Sequence, residues 1–533
     1  MASMVAVARN GVRPSPTAPA PPANVPRDVV EYGWRRTVIT IGIVMATLLE
    51  IVDVTIVNVA LPNIQGNFGA SVDQAAWIGT GYIIANVIVI PITPWLQQRF
   101  GRRQYYGASI IIFTVASMAC GLSQSLDQLI FWRIVQGLGG GGLISTSQAI
   151  LRETYPNTEQ GKAAGIFSVG VILGPTLGPT LGGIITDQLS WRYAFFLNLV
   201  PGIAAVLIVL FLLKNPEGPK KLPLDFVGFG FLAIGIGSLQ YVLDQGQEKD
   251  WFDDGSIVTC SIAALLGLAA FLWWELRTAR PIVNLSVLKY RSVAAGSVLG
   301  MVLGVSLYGS VLIIPQYVQG SLGFTATLSG EMLVFRAIFV MMLTPFAAVL
   351  ASRNKIDSRW LVASGFACIG ISNFMLANIT TSQTDFWSFF GSLALSGVGL
   401  AQIFVPLTIS VLGSVPPRDI PGASAFFNLA RQVGGSIAIA MLVTLLARAN
   451  ATHHTELASQ MRLSRGPVAA YMFDRRDTSD SLARSSLNRL VTQQAAVLSY
   501  ADTALLVGGI SLLLAPLAFI LKRPKSMAMV AGE

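Results

Sequence analysis

Apolar stretches long enough to cross a lipid bilayer recur along almost the whole of this chain. A membrane-spanning α-helix needs about 20 consecutive apolar residues, and the sequence contains fourteen stretches of that kind. Hydrocarbon offers no partner to backbone N–H and C=O groups, so such stretches fold as helices. We predict spans at about 38–61, 75–96, 104–122, 126–150, 162–186, 195–213, 226–244, 256–276, 293–316, 328–350, 360–379, 386–412, 422–446 and 500–521.

The composition supports a polytopic membrane protein and argues against a nucleic-acid-binding protein. Hydrophobic residues make up 53% of the chain and charged residues only 12%, whereas soluble domains carry about 25% charged residues. The net charge of +9 comes from basic residues in short loops between spans. Cys120, Cys260 and Cys368 lie within apolar stretches without ligand-like spacing, which indicates packing residues and no metal site.

The distribution of basic residues predicts how the chain is oriented. Basic residues concentrate in cytoplasmic loops, and the short loops taken alternately carry sixteen on one side and two on the other. Both termini are therefore predicted to be cytoplasmic. The rich side has Arg99, Arg102, Arg103, Arg152, Lys162, Lys214, Lys220, Lys221, Arg277, Arg280, Lys289, Arg291, Arg353, Lys355, Arg359 and Arg418; the poor side has Arg192 and Lys249.

A weak internal repeat predicts two related halves. Pro156 and Gly161 match Pro417 and Gly422 at the same offset of 261 residues, since 417 − 156 and 422 − 161 agree. We predict an all-α protein with six-helix bundles at 38–214 and 293–521, related by an axis along the membrane normal, and two inserted helices at 225–277. The remaining segments are a disordered cytoplasmic tail at 1–37, a cytoplasmic tail at 522–533 and a long periplasmic loop at 447–499.

Ionisable residues inside the predicted spans are the first candidates for chemistry. Glu50 and Asp53 are three positions apart in the first span, so both lie on one helical face. Arg133 is a lone cation in the fourth span, and near Asp53 it would favour the ionised acid. Acids in hydrocarbon are costly and are functional candidates by default. A structural hydrogen-bonding role for Glu50 and a structural ion pair between Asp53 and Arg133 remain alternatives.

Small residues form a stripe along the fifth span. The segment 170–183 reads GVILGPTLGPTLGG, in which Gly174, Gly178 and Gly182 recur every fourth residue. Such spacing lets two helix backbones approach closely in lipid, and close packing in any polytopic protein would explain it. The candidate motif comprises Gly170, Gly174, Pro175, Gly178, Pro179, Gly182 and Gly183.

This stripe resembles the antiporter motif of the major facilitator superfamily, in the form found in fourteen-helix EmrB/QacA-type drug:proton antiporters. The stretch 53–62, DVTIVNVALP, resembles the first-helix motif of these antiporters, whose acid is implicated in proton coupling; Asp53 is the matching position. Arg133 and Gln136, in the stretch RIVQG at 133–137, resemble the family's RxxQG pattern, whose arginine is tied to proton transfer. The resemblance covers nearly the whole chain and implies the major facilitator fold.

The loop between the second and third spans, 94–103, resembles the family's cytoplasmic gating motif. Arg99, Gly101, Arg102 and Arg103 fit the pattern, while Pro94 and Gln98 depart from it. Because Gln98 replaces an acid, the charge-relay role of that acid is not carried over. The arginines are predicted to form a cytoplasmic gate.

Polar and aromatic residues of several spans are candidates for a substrate cavity between the halves. Glu331 and Arg336 lie five apart and do not stack on one helical face. Aromatic residues at helix ends are also typical interface anchors. The candidates are Trp77, Tyr82, Gln136, Gln316, Tyr317, Gln319, Glu331, Arg336, Phe404, Asn428 and Arg431.

The resemblance implies a proton-driven exporter of hydrophobic or amphiphilic drugs in a bacterial inner membrane, without a cofactor besides the proton gradient. Segments 237–252 and 280–291 look closest to the EmrB branch, which implies a periplasmic membrane-fusion adaptor and an outer-membrane channel as partners. No phosphate-binding GxxxxGK[ST] or catalytic triad pattern appears, so neither an ATP pump nor an enzyme is expected. Two alternatives stay open: a proton-coupled exporter of an endogenous metabolite, lipid or siderophore, and a non-transporting membrane sensor.

Overall fold

Long α-helices form almost all of the computed structural model, which describes residues 30–156, 159–215, 223–278, 281–283, 285–352, 356–413, 415–416, 419–461, 466, 468, 470 and 480–521. These residues contain sixteen α-helices. Residues 1–29 of the predicted tail 1–37 lie outside the described residues, and α1 already begins at Gly33. The predicted tail 522–533, and residues 462–465, 467, 469 and 471–479 of the predicted loop, also lie outside them.

The first eight helices form the N-terminal half. α1 packs against α6 and α8, α2 against α4, and α3 against α4 and α8. Their bounds are α1 (Gly33–Phe68), α2 (Val72–Phe100), α3 (Arg102–Gly121), α4 (Leu126–Gly140), α5 (Leu143–Thr154), α6 (Gln160–Gln188), α7 (Trp191–Phe196) and α8 (Leu199–Leu212).

The last six helices form the C-terminal half, and two helices stand between the halves. α11 packs against α15, α12 and α13 both pack against α14, and α16 packs against α13 and α15. The bounds are α9 (Phe226–Gln245), α10 (Gly255–Glu275), α11 (Arg291–Gly320), α12 (Ala326–Ser352), α13 (Ser358–Ile379), α14 (Phe389–Gly413), α15 (Ile420–Gln460) and α16 (Asp480–Leu514).

Two seams join the halves. α6 packs against α12 and α14 along one seam, and α2 and α5 pack against α15 along the other. The inserted helices α9 and α10 pair with each other, and α9 lies against both α2 and α15. The inserted pair therefore covers the second seam from outside.

The two ends of the helices define two faces of the molecule. On the tail face, where α1 begins, Lys214 Nζ lies 3.1 Å from Glu31 Oε1, and the Glu31 amide donates to the Thr154 carbonyl. On the loop face, where α15 and α16 are joined, Gln493 Nε2 donates to the Ser321 carbonyl over 2.6 Å. Both helices extend past the predicted spans, because α15 continues to Gln460 and α16 begins at Asp480.

The outer surface is suited to lipid. Within the described residues, ten helices are long and apolar enough to cross a membrane. Large apolar side chains on their outer sides are more than 70% exposed, for example Val200, Phe211, Leu265 and Leu513. These faces have no partner in the protein and fit a bilayer. Fourteen crossings remains the sequence prediction.

Two of the predicted single spans are interrupted. Gly141 and Gly142, the end of the glycine run 139–142, separate α4 from α5, and Leu197 and Asn198 separate α7 from α8. A Cβ atom at Gly137 or Gly141 would overlap the Tyr82 or Asn86 carbonyl of α2. The glycines are thus required by the close approach of α2, and the interruptions leave helix termini inside the N-terminal half.

Candidate functional site

Asp53 is the centre of a buried hydrogen-bond network inside the N-terminal half. One carboxylate oxygen, Oδ2, accepts from Arg133 Nη1 over 2.5 Å. The other, Oδ1, accepts from Gln136 Nε2 over 2.8 Å and from Asn198 Nδ2 over 2.9 Å. All four side chains are at most 3% exposed. The partners of this carboxylate of α1 come from α4 and from the break between α7 and α8.

Arg133 has further partners in the same half. Its Nε donates to the Ile78 carbonyl over 3.1 Å, and Nη1 also reaches Gln136 Oε1 at 2.8 Å. The guanidinium carbon lies 4.3 Å from the centre of the Tyr82 ring, within range of a cation–π contact. A desolvated ion pair is tolerated when hydrogen bonds satisfy its remaining atoms, and this pair meets that condition.

Glu50 belongs to a different network although it lies one turn from Asp53. Its Oε1 accepts from Asn86 Nδ2 over 3.0 Å, and its Oε2 accepts from the Ile144 amide over 3.3 Å. Ile144 lies in the first turn of α5, where backbone N–H groups lack partners in their own helix. The interruption after α4 therefore supplies a helix N-terminus to a carboxylate, an arrangement that stabilises negative charge.

The glycine stripe of α6 packs on the helix that carries both acids. A Cβ atom at Gly178 would overlap the Thr55 hydroxyl, and one at Gly174 would overlap the Ile51 side chain. α6 runs without interruption through Pro175 and Pro179. Gly170 faces Val44 and Gly182 faces Ile56 in the same way, and Gly183 is buried.

The arginines of the predicted gate lie on the tail face within the N-terminal half. Arg102 forms an ion pair with Glu153 at the end of α5, and its Nε donates to Gln97 Oε1 over 3.2 Å. The Arg103 amide donates to Asn215, and the Arg99 guanidinium lies near the Phe100 ring. Gly101 has φ +85°, a left-handed conformation that favours glycine at the turn between α2 and α3.

The predicted cavity residues are divided among several environments. Tyr82 and Gln136 belong to the Asp53 and Arg133 network, and Trp77 packs on Tyr241 of α9 near the loop face. Tyr317 is buried beside Tyr500 and donates to the Thr381 carbonyl. Three of the predicted residues, Gln316, Gln319 and Glu331, are exposed, whereas Arg336 is buried in α12. The last three, Phe404, Asn428 and Arg431, lie together in the C-terminal half.

Polar contacts also cross the second seam. Gln148 Oε1 of α5 accepts from Ser424 Oγ and from Asn428 Nδ2 of α15, each over 2.8 Å. Asn428 in turn accepts from Arg431 Nη2 through its Oδ1. Nearer the loop face, Gln432 Nε2 donates to Asn86 Oδ1 over 3.1 Å. The halves are therefore joined by side-chain amides at two levels.

Two cavities open at the tail-face ends of the seams. One of about 330 Å³ is lined by apolar residues of α2, the segment before α11 and the start of α15, including Trp95 and Phe426, with Gln98 and Asp419 as polar groups. The other, of about 80 Å³, lies between α5, α6 and α14 and is lined by Gln148 and Arg152 among mostly apolar residues. Both lie between elements of the two halves.

Sequence reasoning missed Asn198 and Asn86 as members of these networks. Asn198 stands in the stretch WRYAFFLNLVPG, and Asn86 is a single amide in an apolar span. A lone amide in a span is itself a signal, because it needs partners inside the bundle. Its partner could not be read from the sequence, because both asparagines bind acids of another helix.

Two helical bundles joined along two seams, with buried charged networks in the membrane, define a polytopic membrane protein of the secondary-transporter class. A model of the Major Facilitator Superfamily matches residues 43–439. The chain is 33% identical over 496 residues to the multidrug export protein EmrB of Escherichia coli K12, covering 92% of this chain and 96% of that protein. It is 32% identical to the fatty acid resistance protein FarB of Neisseria gonorrhoeae, covering 91% and 96%.

The chain therefore belongs to the major facilitator superfamily, as a relative of the EmrB exporters. Solved structures agree on the fold. The human organic anion transporter MFSD10 (TETRAN) aligns with a TM-score of 0.57 at 13% identity, over 90% of this chain and all of that one. A bacterial homologue of the human lysosomal transporter Spinster, described as inward-facing and unoccupied, aligns with a TM-score of 0.54 at 15% identity, over 93% of this chain and all of that one.

Proposed function

We propose that this protein is a proton-driven multidrug exporter that works by alternating access. The proposal rests on the carboxylate of Asp53. It is fully buried in the apolar helix α1 and accepts hydrogen bonds from Arg133, Gln136 and Asn198. Burying an acid inside a membrane span costs free energy, and helix packing alone does not need an acid there. The 33% identity to EmrB over nearly the full chain supports drug export.

In this proposal Asp53 is the proton carrier and Arg133 is the partner that responds to its charge. With Asp53 ionised, Arg133 holds α1 and α4 together through the 2.5 Å contact. Protonation removes the negative charge and weakens the contact, so α1 is free to move relative to α4. The glycine stripe of α6 follows α1 because the two backbones are in close contact. Proton uptake on one side and release on the other then drives the alternation.

The substrate would enter from the tail face, where the 330 Å³ cavity lies between α2 and α15. Its lining of aromatic and apolar residues around a few polar groups suits a hydrophobic or amphiphilic molecule. The aromatic ring of Trp95 is held in place by its Nε1, which donates to the Pro223 carbonyl over 3.2 Å. We assign this cavity to substrate loading.

We place the protein in a bacterial inner membrane with the tail face in the cytoplasm, following the distribution of basic residues. The extended ends of α15 and α16 then project into the periplasm. They are the part of the described chain best placed to contact a membrane-fusion adaptor, with an outer-membrane channel beyond it. This partnership rests on the likeness to EmrB.

A second candidate is the proton-coupled export of an endogenous lipid, of which fatty acids are one class. The likeness to FarB, a protein named for fatty acid resistance, favours it at 32% identity over 494 residues. The same Asp53 network would serve both functions. The two differ in substrate charge, since a fatty acid is an anion whereas many amphiphilic drugs are cations.

Flux in proteoliposomes tests the proposal. Purified wild type and Asp53→Asn are compared under an imposed pH gradient, with a cationic dye and a fluorescent fatty acid as alternative substrates. Asp127→Asn, which removes an exposed acid of the loop face, is the matched control. Gradient-driven flux in wild type and the control, and its loss in Asp53→Asn, is the expected result. Flux that survives Asp53→Asn would refute the role of Asp53, and no flux in any protein would favour a non-transporting sensor.

A further inference from the structure

A chain of three side chains connects Glu50 to the opposite half of the protein. Asn86 of α2 donates from Nδ2 to Glu50 Oε1 over 3.0 Å and accepts at Oδ1 from Gln432 Nε2 of α15 over 3.1 Å. Glu50 and Asn86 are 4% and 1% exposed. A single buried amide thus contacts both a titratable acid and a residue of the other half.

The charge of Glu50 decides which way this amide points. An ionised carboxylate can only accept, so Asn86 must turn its NH2 group to Glu50 and its oxygen to Gln432. The other carboxylate oxygen, Oε2, already accepts from the Ile144 amide. A proton on Glu50 therefore belongs on Oε1, where it needs an acceptor, and the available acceptor is the Asn86 oxygen.

We propose that Asn86 is a positioning residue that transmits the protonation state of Glu50 to the seam between the halves, and that its bond to Gln432 is present only while Glu50 is ionised. When Oε1 is protonated, the Asn86 amide turns over and presents NH2 to the NH2 of Gln432, so the bond across the seam is lost. This inference rests on the proposed proton coupling and assigns Glu50 a task separate from that of Asp53.

Of the other charged and titratable groups near Glu50, one also links the halves only while Glu50 is ionised, and others are engaged by partners of their own. Arg431 of α15 is close enough to attract the ionised carboxylate across the same seam, and protonation removes that attraction as well. Asp53 is engaged by Arg133, and Tyr106 shares a hydrogen bond with Ser147. The remaining neighbours are Tyr82 and Tyr105.

The second polar contact across this seam provides an internal control. Ser424 Oγ donates to Gln148 Oε1 over 2.8 Å and joins α15 to α5 without a carboxylate in the bond. Removing it should loosen the seam equally at every pH. Removing the bond between Asn86 and Gln432 should instead reduce the response to pH by the part that this bond carries.

Spin-label distances between the halves test this. Cysteines are introduced at Leu122 and Ser382, exposed loop-face positions of opposite halves, after Cys120, Cys260 and Cys368 are replaced by alanine. Distance distributions are recorded in lipid nanodiscs at acidic and alkaline pH for the labelled parent, Gln432→Leu and Ser424→Ala. The drug flux of each protein under a pH gradient is measured in parallel.

The labelled parent and Ser424→Ala are expected to shift their distance populations between the two pH values. Gln432→Leu is expected to lose the part of that shift that Glu50 controls and to keep the part that Asp53 controls. A full shift in Gln432→Leu, or no shift in the parent, would overturn the inference. The first of these outcomes includes the case in which both amides turn over together and keep their bond. If the inference fails but the parent still shows flux driven by the pH gradient, the proposed function stands. If the flux of the parent does not depend on the pH gradient, the proposed function is wrong as well.

Discussion

Asn198 Nδ2 lies 2.9 Å from Asp53 Oδ1, although the two residues are 145 positions apart in the chain. The same Nδ2 atom lies 3.0 Å from Ser117 Oγ, so the amide is fixed between α1 and α3. The break between α7 and α8 places Asn198 there, because Asn198 is the N-cap residue that directly precedes α8. The interruption between α7 and α8 thus supplies one of the hydrogen-bond donors to the Asp53 carboxylate.

Asn198→Leu is expected to lower proton-coupled flux at least ten-fold. Hydrogen bonds to charged groups contribute about 1.5–3 kcal/mol, and each 1.4 kcal/mol corresponds to about a factor of ten in rate. Flux in proteoliposomes is the measurement. Ser117→Ala removes the other contact of the amide, together with the bond from Ser117 Oγ to the Phe195 carbonyl, and should reduce flux much less. Equal losses in both variants would indicate that the contact with Asp53 has no special role.

Arg133→Leu is expected to destabilise the protein strongly, and a second substitution should restore stability without restoring transport. Removing one partner of a buried ion pair costs about 3–5 kcal/mol, because the other charge is left uncompensated. In Asp53→Asn/Arg133→Leu no charge remains, so the midpoint of thermal unfolding in detergent should return toward that of wild type. A double variant as unstable as Arg133→Leu would contradict this account.

Gly178→Ala is expected to lower stability by about 1–3 kcal/mol, the usual cost of overpacking. The added methyl group would overlap the Thr55 hydroxyl of α1. Thr55→Ala removes the hydroxyl, the closest of the overlapping atoms, and leaves the Thr55 Cβ atom 2.7 Å from the added carbon, so the double variant should recover part of the loss in thermal unfolding. Gly79→Ala is the control, since no atom lies within 4 Å of a Cβ atom at that position. Failure of Thr55→Ala to rescue Gly178→Ala would show that the contact is not limiting.

Arg102→Glu is expected to impair transport through like-charge repulsion with Glu153 at the tail face. The reversed pair Arg102→Glu/Glu153→Arg should restore flux if the ion pair itself is required. Flux is measured as for the other variants, and a double variant no better than the single one would assign the role to Arg102 alone.

The positions of Glu50 and Asp53 show how far the sequence could be interpreted. Their spacing of three residues correctly places them one turn apart on α1, and both are buried. The same spacing suggested a shared role, yet their hydrogen-bond partners differ. Asp53 is bound by α4 and the start of α8, whereas Glu50 is bound by α2 and the start of α5. Helical periodicity fixes the direction of a side chain and carries no information about its neighbour.

Hydrophobicity and residue spacing are enough to infer that this chain spans a membrane as helices, that acids and an arginine lie within those spans, and that α6 has a stripe of small residues. These properties are local, because hydrophobicity and helical spacing act within about 20 neighbouring residues. The tertiary structure decided which helices meet: Arg133 and Asn198 at Asp53, Thr55 at Gly178, and Gln432 at Asn86. Contacts between residues far apart in the chain depend on how all the helices pack together, and no single segment encodes that packing.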